Sequence, residues 1–265
     1  MRKLKSYSSL LATLILLFNT SLHAEIKSET IKYDIAGQLF EGTLSYDDSI
    51  KGKRPGVLVV HEWWGHNAYA KKRAEMLAKL GYTAFALDMY GAGKVASHPD
   101  DAKKYMEAAL ADMKVAETRF NAALKLLQLQ PTVYASKIAA IGYCFGGTTA
   151  IELARAGAAV VGVVSFHGGL DSPAPADGKN IKGKILALHG ADDPFVSAAD
   201  LAAFEQEMRG SGVDWQLVKY GGAVHSFTNP AAGNDNSKGN AYNATADRRS
   251  WKAMEDFFAE VLTRS

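Results

Sequence analysis

The 265-residue chain predicts an α/β fold: a mainly parallel, twisted sheet with helices on both faces and an antiparallel hairpin at its N-terminal edge. Three observations carry this expectation. Short apolar runs at 55–60, 82–87, 137–141, 158–166 and 184–188 alternate with segments of helical character. The runs lack polar alternation, as expected of strands covered on both faces. Finally, Gly142-Tyr143-Cys144-Phe145-Gly146-Gly147 joins one run to the next helix by a tight turn, where residues without side chains let strand and helix approach closely.

Taken in order, residues 29–35 and 38–46 alternate around Ala36-Gly37 and predict the edge hairpin. The run 55–60 ends in His61-Glu62-Trp63-Trp64-Gly65, a strand-end loop of the kind where α/β sheets hold ligands. A zinc reading of His61-Glu62 fails, because Gly65 stands where the second histidine is needed and His66 is off the helical face. An amphipathic helix at 70–80 stops at Gly81, and the strand 82–87 delivers Asp88-Met89-Tyr90-Gly91-Ala92-Gly93 to the same rim. Pro99 opens one long helix over about 100–129, closed by Pro131, whose Met, Leu and Phe stripe is core packing. The glycine turn follows, then helix 148–155 and the valine-rich strand 158–166. Strand 184–188 runs into His189-Gly190-Ala191-Asp192-Asp193-Pro194-Phe195-Val196 and is followed by helix 198–209. The last strand, 213–220, leads to Gly221-Gly222-Ala223-Val224-His225-Ser226-Phe227. Residues 229–243, rich in Gly and Asn, predict a mobile surface loop, and a helix at 247–262 closes the chain.

Residues 1–24 have a different character. Arg2, Lys3 and Lys5 precede an apolar run from Leu10 to Phe18, and Leu22-His23-Ala24 ends the segment. This is the pattern of a cleavable signal peptide, too short to span a bilayer, and it predicts a secreted or periplasmic protein cut near Ala24. Residues 25–265 then form one domain with ample core. Cleavage leaves 27 basic against 28 acidic side chains, a net charge of −1, so nothing points to nucleic acid or to a membrane surface. The single cysteine cannot form an internal disulfide, and a free thiol in an oxidising compartment is a liability unless it is shielded or has a task.

The glycine turn is the G-x-nucleophile-x-G elbow of the α/β-hydrolase fold, with cysteine in place of serine. A phosphate loop shares the Gly142–Gly147 spacing, but Thr148 stands where its lysine belongs. Cys144, then Asp192 or Asp193, then His225 follow the nucleophile–acid–histidine order of that fold, each at the carboxyl end of a strand. His61, His167 and His189 also end strands and read as structural or pocket-lining.

With Glu62-Trp63-Trp64-Gly65, Asp88-Met89-Tyr90, the Cys144 elbow, Asp193-Pro194-Phe195-Val196 and Gly222 to Phe227, the sequence resembles the dienelactone hydrolase family across most of its length. The resemblance implies a Cys144–His225–Asp193 triad, Glu62 touching the resting thiol, and an oxyanion hole from the backbone N–H groups of Trp63 and Phe145. It implies hydrolysis of a small ester or lactone; no metal or other cofactor is expected, and the protein is expected to be a monomer. Acyl transfer, or binding without turnover, are the alternatives. In that family two arginines hold the substrate carboxylate; Ala92 and Asn229 occupy the corresponding positions, with Lys94 nearby. Trp64, Tyr90, Lys94 and Asn229 are therefore the expected pocket residues, and the expected substrate is neutral and apolar.

Overall fold

In the computed structural model, which describes residues 25–262, eight strands form one sheet. They are β1 (Ile26–Ile35), β2 (Gln38–Asp47), β3 (Arg54–Val60), β4 (Thr83–Leu87), β5 (Val133–Tyr143), β6 (Gly162–Phe166), β7 (Lys184–Gly190) and β8 (Trp215–Tyr220). The leader expected at 1–24 lies outside the described residues. Strand order is β1-β2-β4-β3-β5-β6-β7-β8. The β1–β2 and β2–β4 pairs are antiparallel and all the others parallel. The hairpin turns at Ala36 (φ 51°) and Gly37 (φ 82°), two successive left-handed residues that match the twist of the flanking strands.

Among the described residues six α-helices cover the sheet: α1 (Ala68–Lys79), α2 (Pro99–Leu110), α3 (Met113–Gln128), α4 (Phe145–Arg155), α5 (Ala198–Ser211) and α6 (Ala244–Val261). The period of two along the strands sorts the core into two layers. Val57 and Val59 of β3 face Leu77 of α1 and Phe258 of α6. Leu58 and Val60 face the other way, toward Phe120 of α3, Ile151 of α4 and Phe204 of α5. No helix among the described residues is long and apolar enough to cross a membrane.

Two expectations need correction. The helix foreseen over 100–129 is broken: Asp112 leaves helical backbone (φ −138°, ψ 110°) and caps α3 by accepting from the Lys114 N–H. Aspartate favours caps over helix interiors because its short carboxylate competes for backbone donors. The segment 229–243 is not a loose loop. It makes 3₁₀ turns at Pro230–Ala232 and Asn236–Lys238 and folds back on the β8–α6 connection, where His225 N–H donates to Gly239 O and Ala241 N–H to His225 O.

The site is placed by the strand order. After β3 the chain adds β4 on one side, and β5 then crosses to the other side of β3. Loops after β3 and β5 thus diverge at the carboxyl edge and leave a crevice between them.

Candidate active site

The turn from β5 into α4 holds Cys144 at φ 55°, ψ −122°, a left-handed conformation rare for a residue with a side chain. Positions 142 and 146, two residues to either side, must be glycine. A Cβ on Gly142 would lie 1.9 Å from Gly146 O, and one on Gly146 would lie 2.3 Å from Val60 O. The Cys144 N–H is shared between Phe166 O at 3.0 Å and His167 Nδ1 at 3.1 Å. His167 is itself held at φ 43° and hydrogen-bonds Thr228 Oγ1 through Nε2 at 2.7 Å. Thr228 shares a 2.6 Å bond with the Tyr69 hydroxyl, which accepts from Arg73 Nε. Arg73, buried over the rings of Tyr69, Tyr143 and Trp251, ends the chain on Asp247 at 2.7 Å. Burial, aided by the positive neighbours His225 and Arg73, keeps His167 neutral, as its role of acceptor requires. Helices α1 and α6 are thereby tied to the back of the elbow.

On the open side, Cys144 Sγ lies 3.1 Å from His225 Nε2, and His225 Nδ1 lies 2.8 Å from Asp193 Oδ2. The other Asp193 oxygen accepts from Phe195 N–H at 2.9 Å. Asp193 rather than Asp192 meets the histidine; Asp192 accepts from Gly222 N–H instead. Burial works against a charged His225, but the sulfur and the Asp193 carboxylate outweigh it and raise the ring to about 10. Trp63 and Phe145 carry N–H groups with no hydrogen-bond partner among the described residues, Phe145 because it opens α4. A nucleophile, a base in contact with it, a carboxylate orienting the base and free backbone donors are the parts that acyl transfer needs.

The remaining expected residues are placed differently. Glu62 is buried, and its Oε2 accepts from Asn229 Nδ2 at 2.6 Å. Among the described residues no hydrogen bond joins Glu62 to the thiol; the sulfur's partner is His225. Desolvation pushes the Glu62 carboxyl up to about 7, against the pull of Asn229, His225 and Arg73. Asn229, expected to meet substrate, is committed at both ends, since its Oδ1 accepts from Ala231 N–H. Tyr90 is buried and braces the Glu62 loop by donating to Trp63 O at 3.1 Å. His61 ties that loop to the next, donating to Glu62 O and accepting from Met89 N–H. Lys94 is exposed beside Glu41, His66 and Lys71, outside the cavity that holds Cys144. That cavity, of about 490 Å³, is lined by Trp63, Met106, Phe195 and Lys238 around Cys144 and His225. Trp64 lines an adjoining chamber. Met106 and Lys238 carry no motif, and only the fold brings them here.

Residues 40–262 match the sequence model of the dienelactone hydrolase family. A Bradyrhizobium sp. protein with the name "Probable 2-oxo-3-(5-oxofuran-2-ylidene)propanoate lactonase" is 31% identical over 191 residues, 67% of this chain and 75% of the relative. Among solved structures, one called m3DLH superposes with a TM-score of 0.85 at 42% identity, over 90% of this chain and 99% of that one. A dienelactone hydrolase-like promiscuous phosphotriesterase from metagenomic libraries gives 0.85 at 41% identity, with the same coverage of both chains. With the α/β-hydrolase sheet in place, the match over nearly the whole described chain means that this protein belongs to the dienelactone hydrolase family and is an ester or lactone hydrolase.

Proposed function

We propose that the chain is an exported thiol hydrolase that cleaves uncharged carboxylic esters or lactones through an acyl-enzyme. The observation that supports it most is the unbroken contact from Cys144 Sγ through His225 to Asp193, at 3.1 and 2.8 Å. His225 takes the thiol proton and is held as imidazolium by Asp193; the sulfur attacks the carbonyl carbon. Negative charge developing on the carbonyl oxygen is received by the N–H groups of Trp63 and Phe145, which cost no reorganisation because they are already unpaired. The C–O bond then breaks, and His225 returns its proton to the leaving oxygen. Water, deprotonated by His225, attacks the thioester; the C–S bond breaks and the thiolate recovers the proton.

Among the described residues no arginine lines the cavity, and Lys238 is exposed and faces Asp235 at 3.8 Å. An ammonium on the surface does not replace a buried bidentate partner for a carboxylate. Trp63, Met106 and Phe195 offer apolar surface instead. A stopped-flow burst with a chromogenic uncharged ester, abolished by prior alkylation with iodoacetamide, tests the reading; an alkylated protein that keeps its rate refutes it. Export rests on the character of residues 1–24. Envelope protein beginning near Glu25 is the expected product, and an intact Met1 in the cytosol overturns it.

A further inference from the structure

The chamber next to the Cys144 cavity encloses about 440 Å³ and shares Ser226 and Asn240 with it. Trp64, Asn67, Tyr69, Ala232 and Asn229 complete most of its wall, and among the described residues no lysine, arginine, histidine or carboxylate lines it. Its polar groups are neutral, and several are unused. Asn240 Oδ1 is sealed from solvent without a hydrogen-bond partner, so the end of this amide that a ligand can reach is Nδ2, which makes no hydrogen bond among the described residues. Whichever way that amide is turned, its reachable end is a neutral hydrogen-bonding group. Asn67 uses its oxygen on the Tyr69 and Ala70 N–H groups, which leaves its amino group free. Ser226, held at φ 54° directly after His225, makes no side-chain hydrogen bond among the described residues.

The two chambers differ in chemistry. Around Cys144 the large side chains are Trp63, Met106 and Phe195, with Lys238 at the rim; beyond Ser226 the wall combines Trp64, Tyr69 and small alanines with the amides of Asn67, Asn229 and Asn240. An anion entering the second chamber meets no cation, and a wholly apolar group leaves the Asn67 amino group and the Ser226 hydroxyl unpaired. A neutral group bearing several hydroxyls, stacked on Trp64, satisfies both conditions. His225 protonates the leaving oxygen, and Ser226, its neighbour in the chain, lines both chambers.

We infer that this chamber is a subsite for a polyhydroxylated leaving group, so that the preferred substrates join an apolar acyl group to a glycerol- or sugar-like alcohol. The inference rests on the hydrolase reading above. In the step it describes, the acyl carbon stays on Sγ, the ester C–O bond breaks, and the alcohol departs into the second chamber with the proton from His225.

Two measurements test it. In the first, kcat/KM is compared for methyl butyrate and glyceryl monobutyrate, on the wild type and on Ala232→Trp, which fills the chamber and deletes no polar atom. The glyceryl ester is expected to be favoured at least about ten-fold by the wild type, as for a site built to bind hydroxyls, and that ratio is expected to collapse toward one in the variant. Asn240→Leu, expected to lower the ratio in the same direction, serves if Ala232→Trp does not fold. In the second, binding of free glycerol and glucose to the Cys144→Ala protein is followed by saturation-transfer NMR, which needs no turnover. Polyol binding that is lost with Ala232→Trp supports the subsite even if no ester is hydrolysed, an outcome that sinks only the hydrolase reading. Equal use of the two esters by the wild type, with no polyol signal from Cys144→Ala, overturns the subsite and leaves the hydrolase reading standing.

Discussion

Glu62→Gln isolates the carboxyl of the site that burial lifts above its ordinary range. The side chain is 2% exposed, and burial raises it from 4.5 to about 7. Below pH 4.5 the group is protonated in both folded and unfolded chains and costs nothing. Above 4.5 the unfolded chain ionises while the folded protein keeps its proton until about 7, so stability is lost across that window and stays lost at higher pH. The displacement corresponds to roughly 3 kcal/mol. Glutamine keeps an oxygen for Asn229 Nδ2 and cannot ionise. The variant should therefore match the wild type near pH 4.5 and exceed it by up to roughly 3 kcal/mol at pH 8. In a chain of this size that is about 6–12 °C in Tm. Thermal or urea unfolding of both proteins from pH 4.5 to 8.5 measures the difference directly. A stability gap that stays constant across this range would refute the reasoning, because Glu62 would then titrate as an ordinary surface carboxyl. Such a penalty is what an active site carries when it keeps a carboxyl for function rather than stability.

The two adjacent aspartates should separate cleanly. Asp193→Asn should lower kcat by about 10⁴-fold through loss of the imidazolium partner, while Asp192→Asn leaves it within about two-fold; equal losses would show that the wrong acid has been assigned. Anionic dienelactone should be used less well, by kcat/KM, than an uncharged aryl ester of similar size, and a clear preference for the dienelactone would redirect attention to Lys238 or Lys94.

Most of the sheet and the elbow were legible because their signals are local. Val57 to Val60 can only be a covered strand, and Gly142, Gly146 and Gly147 announce a close approach. The chain order from Cys144 to His225 carried the rest of the constellation. What failed depended on tertiary partners. The apolar stripe across 100–129 continues through Asp112, so periodicity hid the break. Composition suggested mobility for 229–243, but Gly239 and Ala241 hydrogen-bond His225. Lys94 and Asn229 lie close in sequence to rim residues, and that does not decide which side of a loop a side chain takes. The support behind the elbow joins Arg73 to Thr228 and Asp247, 155 and 174 residues away, a separation at which no motif operates.

The central claim, that Cys144 carries the acyl group, is tested most directly by trapping it. The protein is mixed with excess 4-nitrophenyl butyrate, quenched in acid within the burst, and mapped by peptide mass spectrometry. The account predicts one butyryl group per chain, on Cys144 alone, and neither adduct nor turnover from Cys144→Ala. An unmodified Cys144 in a protein that is turning over, or a Cys144→Ala protein that keeps most of the wild-type rate, would contradict it.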